Sequence, residues 1–171
     1  MTVYVALLRA INVGGSGRLA MTDLAALCTG LGFAGVRTYI QSGNVVFASG
    51  KGEGAVRQAL EAALATALGK RTDVAVRSAA EMAAILGANP FPKAPPAKVG
   101  VAFLERRLVK AVMEDVVTPG REEVVLVGRE AYIHFPNGMG RSKLKLPKAW
   151  GPATVRNVNT VARLAAMAAG D

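Results

Sequence analysis

Three short stretches gather the side chains that could do chemistry. The first is R-A-I-N-V-G-G-S-G-R, from Arg9 to Arg18, answered further on by Q-S-G-N at residues 41–44. Arg9 and Arg18 supply fixed positive charge, while Asn12, Gln41, Ser42 and Asn44 supply both donors and acceptors. Gly14 and Gly15 leave backbone N–H groups uncovered just before a helix start, a setting that suits an anion. The second stretch is P-N-G-M-G-R-S-K, where Arg141 and Lys143 flank Ser142 beside glycines and could clamp a phosphate. The third is T-V-R-N-V-N-T, with Arg156, Asn157 and Asn159 together. Capping a helix accounts for one asparagine there, but not for an arginine with two.

Other chemistries are excluded by what is missing. Gly15-Ser16-Gly17-Arg18-Leu19-Ala20 fits G-x-G-x-x-A formally, yet the following strand ends Tyr39-Ile40-Gln41-Ser42 with no acid to hold a ribose. There is no P-loop. His134 is the one histidine and Cys28 the one cysteine, so a transition-metal centre is not expected and no disulfide can form within the chain. No pair of carboxylates stands out as acid and base. No catalytic residue is assigned, and no cofactor.

The elements that must position these residues follow from periodicity. Val3 to Leu8 reads as a buried strand. Met21, Leu24, Leu27, Cys28 and Leu31 share one helical face, which places Cys28 in the core. Val36 to Gln41, a reversal at Ser42-Gly43-Asn44, and Val45 to Phe47 form a hairpin. A helix over Glu53 to Leu68 and a strand over Asp73 to Arg77 follow. Ser78 and Glu81 then make a capping box for a helix to Leu86. The order is β-α-β-β-α-β. Four of the eight prolines fall in 89–96, which reads as a linker because proline continues neither helix nor central strand. The second half repeats the order. Its strands are expected at Val99 to Leu104, Glu123 to Val127, Ala131 to Phe135 and Thr154 to Arg156. Its helices are expected at Arg106 to Val116, in a short basic stretch over Arg141 to Trp150, and after Asn157 or Asn159. The expected fold is α+β, two consecutive ferredoxin-like halves with mostly antiparallel sheets, residues 1–88 and 97–171. In that topology Arg9, Asn12, Gly14, Gly15 and Arg18 meet Gln41, Ser42 and Asn44 at one sheet edge.

The net charge is +9, and residues 137–171 hold six basic side chains against Asp171 alone. A clustered excess of this kind draws phosphate-rich partners. No stretch approaches the ~20 apolar residues of a membrane span, and the N-terminus lacks a basic n-region. No membrane partner is expected, and a cytoplasmic setting is.

The blocks A-L-L-R-A-I-N-V-G-G, R-T-Y-I-Q-S-G-N-V-V-F, N-P-F, P-N-G-M-G-R-S-K-L and T-V-R-N-V-N-T-V occur in this order. Together they resemble a bacterial family catalogued as domain of unknown function 1697. The resemblance implies an α+β protein of this length and no assigned activity. Two positions depart from the family pattern: Ala10 stands where the family usually has Gly, and Val158 where it usually has Trp. Three functions remain in view. One is a binding module for nucleic acid or a nucleotide-like anion. The second is an enzyme that clamps a small anionic substrate with Arg9, Arg18 and Arg156. The third is a structural or oligomerising protein without a ligand.

Overall fold

The computed structural model describes residues 1–12 and 18–170, with Lys110, Ala111 and Val112 described by backbone alone. The chain is α+β, with two four-stranded sheets and four α-helices among the described residues. Contacts divide it into one unit of Met1–Ala83 with Arg163–Asp171 and another of Ala84–Ala162.

The first unit runs β1 (Thr2–Leu8), α1 (Met21–Gly30), β2 (Ala34–Tyr39), β3 (Asn44–Ser49), α2 (Glu53–Leu68), β4 (Val74–Ser78). Its strand order is β2-β3-β1-β4 and every neighbouring pair is antiparallel. Tyr4, Ala6 and Leu8 of β1 alternate onto one face, where Leu24 and Cys28 of α1 and Leu60 and Leu64 of α2 cover them. Val5, Leu7 and Val46, on the opposite face, are buried as well. Near Val46 lie Met167 and Ala168 of the C-terminal segment, lining one cavity of about 250 Å³ with Arg37. The Arg37 guanidinium donates to the Met167 carbonyl.

The second unit contains β5 (Val99–Leu104), β6 (Glu123–Val127), β7 (Glu130–His134) and β8 (Ala153–Asn157), ordered β6-β7-β5-β8, again antiparallel throughout. Ala102, Leu104, Ala131, Ile133 and Phe135 form one buried face around Trp150. The helices α3 (Ala79–Gly87) and α4 (Val158–Ala168) each cross the division between the units. The expected halves, 1–88 and 97–171, assign residues 84–88 and 163–171 differently. The Tyr132 hydroxyl, donating to the Ile85 carbonyl at 2.7 Å, shows why the end of α3 groups with the second sheet.

Two expected helices of the second half are absent. Arg106 to Val109 is not helical, and only a 3-10 turn, Lys110–Asp115, follows. Val109, Val112 and Val116 are β-branched and no side chain caps the turn, so a segment this short lacks what helix nucleation requires. The basic stretch is extended between two 3-10 turns, Met139–Arg141 and Lys148–Trp150. Its R-S-K-L-K-L pattern has period two, which turns Ser142, Leu144 and Leu146 inward and leaves Arg141, Lys143 and Lys145 exposed. Lys145 makes two backbone hydrogen bonds with Val117, at 3.0 and 3.1 Å.

Candidate functional site

At the first edge, the polar residues are engaged in holding the backbone. Asn12 donates to the carbonyls of Leu19 (2.9 Å) and Gln41 (2.8 Å) and to Gln41 Oε1 (3.3 Å), and its Oδ1 accepts the Leu19 N–H at 2.8 Å. It thus closes the neck of the first glycine loop and ties it to the β2–β3 turn. Gly14 and Gly15, also expected here, lie outside the described residues. Asn44 is buried and donates to the Tyr39 carbonyl and to Ser42 Oγ, both at 2.9 Å. The backbone is left-handed at Ala10 (φ 54°), Asn12 (φ 59°) and Ile40 (φ 47°), a conformation that costs a non-glycine residue roughly 1–2 kcal/mol. Gly43 (φ +88°) is required for space too, since a Cβ there would stand 3.0 Å from Leu8 Cβ. A glycine at position 10 would adopt this backbone without that cost.

The two arginines of this stretch go elsewhere. Arg9 is half exposed and pairs with Asp73 at 3.4 Å, beside β4. Arg18 is exposed and lines an apolar groove of about 570 Å³ with Leu27, Leu31, Ala63 and Leu68. The topology therefore brings Asn12 to Gln41, and Ser42 to Asn44, but does not bring Arg9 into that cluster.

At the second loop the cations are left over. Arg141, Ser142 and Lys143 line a cavity of about 170 Å³ with Gly120, Glu122 and Asn137. Glu122, which sequence reasoning missed, organises it. Its carboxylate accepts the Gly120 N–H and the Ser142 O–H, both at 2.9 Å. Burial works to raise its pKa, but the Ser142 hydroxyl and the N–H groups of Glu122 and Gly120 prevail and hold it below the ordinary carboxyl range. Ser142 also accepts the Leu144 N–H at 3.1 Å, which fixes the start of the extended run. No local pattern marks Glu122: it lies just before β6 and meets Ser142 twenty residues later, beyond the end of β7.

The third stretch turns inward. Val155 lines a cavity with Met139 and Leu144 on one face of β8. Arg156, on the other face, is buried and donates to the Val155 carbonyl at 3.1 Å. Burial lowers its pKa to about 10. Asn157 Oδ1 accepts the Thr160 N–H at 2.9 Å and caps α4, while Asn159 is exposed. Arg156 is thus not brought to the cavity of Arg141 and Lys143. Cys28 lies buried in the core, and burial pushes its thiol up to about 12, far from the thiolate that nucleophilic chemistry needs.

Comparison with known proteins agrees with the architecture. A family model described as "Protein of unknown function (DUF1697)" matches residues 1–132. A solved structure of the conserved bacterial protein SP0830 from Streptococcus pneumoniae is similar over 98% of both chains, with a TM-score of 0.78 and 26% sequence identity. No curated protein matches the chain.

Proposed function

The chain belongs to the DUF1697 family, a grouping without an activity in its name, and from its own residues we propose that it is a binding module for a phosphate-bearing or other anionic partner, nucleic acid or nucleotide-like. The observation that carries this reading is the cavity where Arg141 and Lys143 flank Ser142 while Glu122 spends its carboxylate on Gly120 and Ser142. Two cations remain there to meet a ligand, with the Ser142 oxygen between them. The reading includes a ferredoxin-like origin for each sheet, supported by the order in which the first and third strands occupy the centre. It also includes a linker at 89–96, supported by the lack of any α-helix or strand between Gly87 and Val99. A cytoplasmic setting fits the single buried cysteine; among the described residues no helix is long and apolar enough to cross a membrane.

A thermal-shift series with inorganic phosphate, pyrophosphate and nucleotides tests the reading. Saturation at about 100 times Kd stabilises by about 2.7 kcal/mol. Arg141→Ala with Lys143→Ala is expected to remove the shift while leaving the unliganded melting temperature unchanged. A shift that survives the double substitution rejects the site.

A further inference from the structure

Lys145 and Lys148 stand outside that cavity, and they decide what kind of anion the surface fits. Arg141 closes one 3-10 turn, Lys143 and Lys145 leave the extended run on one side, and Lys148 opens the next turn, all four exposed. A rise of about 3.3 Å per residue sets alternate side chains about 6.6 Å apart. Their inward neighbours Leu144 and Leu146 are packed against the core, Val117 holds the Lys145 backbone, and Trp150 anchors the far end, so the row is fixed by its own packing. Arg106 joins at that end, donating to the Ala149 carbonyl at 3.0 Å. No acidic residue occurs between Glu130 and Asp171, and among the described residues none of the four cations forms an ion pair. Glu114 and Asp115 are exposed and lie three and two residues before Val117, the backbone partner of Lys145.

We propose that this row, Arg141-Lys143-Lys145-Lys148, is a docking strip for the phosphodiester backbone of a nucleic acid, contacted without reading bases. Four exposed cations set in succession along the chain match a linear polyanion better than a single phosphate, which needs only the first two. A backbone-only mode follows because the strip carries no exposed aromatic side chain; Trp150 is buried. The inference rests on the anion-binding reading above but uses residues that reading does not need.

Fluorescence anisotropy with a short labelled duplex and with its single strand, over a series of salt concentrations, is the test. Each duplex phosphate contacted contributes about −0.9 to the slope of log K against log salt, so four contacts give at most about −3.6. Lys145→Ala with Lys148→Ala is expected to reduce the slope by about 1.8 and to weaken binding by about tenfold or more at ~0.1 M salt, while the phosphate-induced thermal shift persists. Lys51→Ala with Lys70→Ala, exposed lysines of the first unit, makes the same change in net charge and is expected to change affinity less than about twofold. The proposal is overturned if the wild-type protein binds neither nucleic acid at low salt, or if the Lys145 and Lys148 substitutions weaken binding less than about threefold. It also falls if the single strand binds about tenfold tighter than the duplex, which indicates base stacking, or if only anionic vesicles are bound. A wild-type protein that shows the phosphate shift but binds no nucleic acid rejects the strip alone. A wild-type protein that shows neither rejects the anion reading as well.

Discussion

The two units share a strand order but cover it differently. Between β1 and β2 the first unit places α1, and between β3 and β4 it places α2, so its sheet is roofed by two helices with Leu24, Leu60 and Leu64 beneath them. In the matching positions the second unit has a 3-10 turn, Lys110–Asp115, and the extended run with Trp150 at its end. A helix spends its backbone hydrogen bonds internally and buries a stripe every three or four residues. An extended run buries every second residue and presents the others in a straight row. The exchange of helix for run is therefore what sets Lys143 and Lys145 on one side, with Arg141 and Lys148 in the turns that flank them. The same contrast governs the polar loops. Asn12 and Asn44 are consumed in holding a left-handed corner, whereas Arg141 and Lys143 have nothing of their own to hold. Abundant polar residues around a glycine loop thus do not by themselves mark a binding site; the count that matters is what remains after the backbone has been satisfied.

The comparison can be broken most forcefully at the roofs. Trp150→Ala is expected to cost about 3–5 kcal/mol in chemical denaturation and to loosen the cationic row, weakening nucleic-acid binding along with stability. Leu60→Ala is expected to cost a comparable ~2–5 kcal/mol and to leave the residual binding of the folded fraction unchanged. If both substitutions affect binding equally, the extended run is not a separate device. A smaller contrast lies in two glycines of nearly equal positive φ. Gly43→Ala pays the left-handed penalty and the 3.0 Å approach to Leu8, together roughly 2–4 kcal/mol. Gly138 (φ 87°, ψ 152°) lies in an extended region open essentially to glycine, but has nothing within 4 Å of a Cβ, so Gly138→Ala is expected to cost about 1–3 kcal/mol, all of it backbone strain. Equal costs mean that the first corner is not held tightly. The smallest effect is a gain: Ala10→Gly relieves a left-handed alanine and is expected to stabilise by roughly 0.5–1 kcal/mol. A loss there means that the corner does not need position 10 to be left-handed.

What the sequence conveyed, and what it withheld, divides along the same line between local and distant causes. The bounds of α2, Glu53–Leu68, follow from apolar spacing alone. The Ser78–Glu81 capping box is reciprocal as expected, at 2.9 and 3.2 Å, because both partners lie within one turn. The helix expected over Arg106 to Val116 had the right apolar spacing, but its valines and missing cap prevailed, and periodicity does not weigh either. The helix expected over Arg141 to Trp150 rests on charge, whereas the alternation from Arg141 to Leu146 argues for an extended chain. Arg9 was placed with Gln41 by topology, yet Asp73 across β1 and β4 claims it. Glu122 carries no mark in the sequence because its partner Ser142 stands twenty residues away, and spacing along one element does not reach that far.

The division inside α3 and α4 has a consequence in time. The first unit comprises Met1–Ala83 and Arg163–Asp171, so the piece that covers Val46, with Met167 offering its carbonyl to Arg37, is made after the whole of the second unit. At 5–20 residues per second, the ~80 residues between these pieces occupy a ribosome for roughly 4–16 s. During that interval the first sheet stands with one face roofed by α1 and α2 and without the segment that finishes the other. The part of the chain that is synthesised first is the last to be completed.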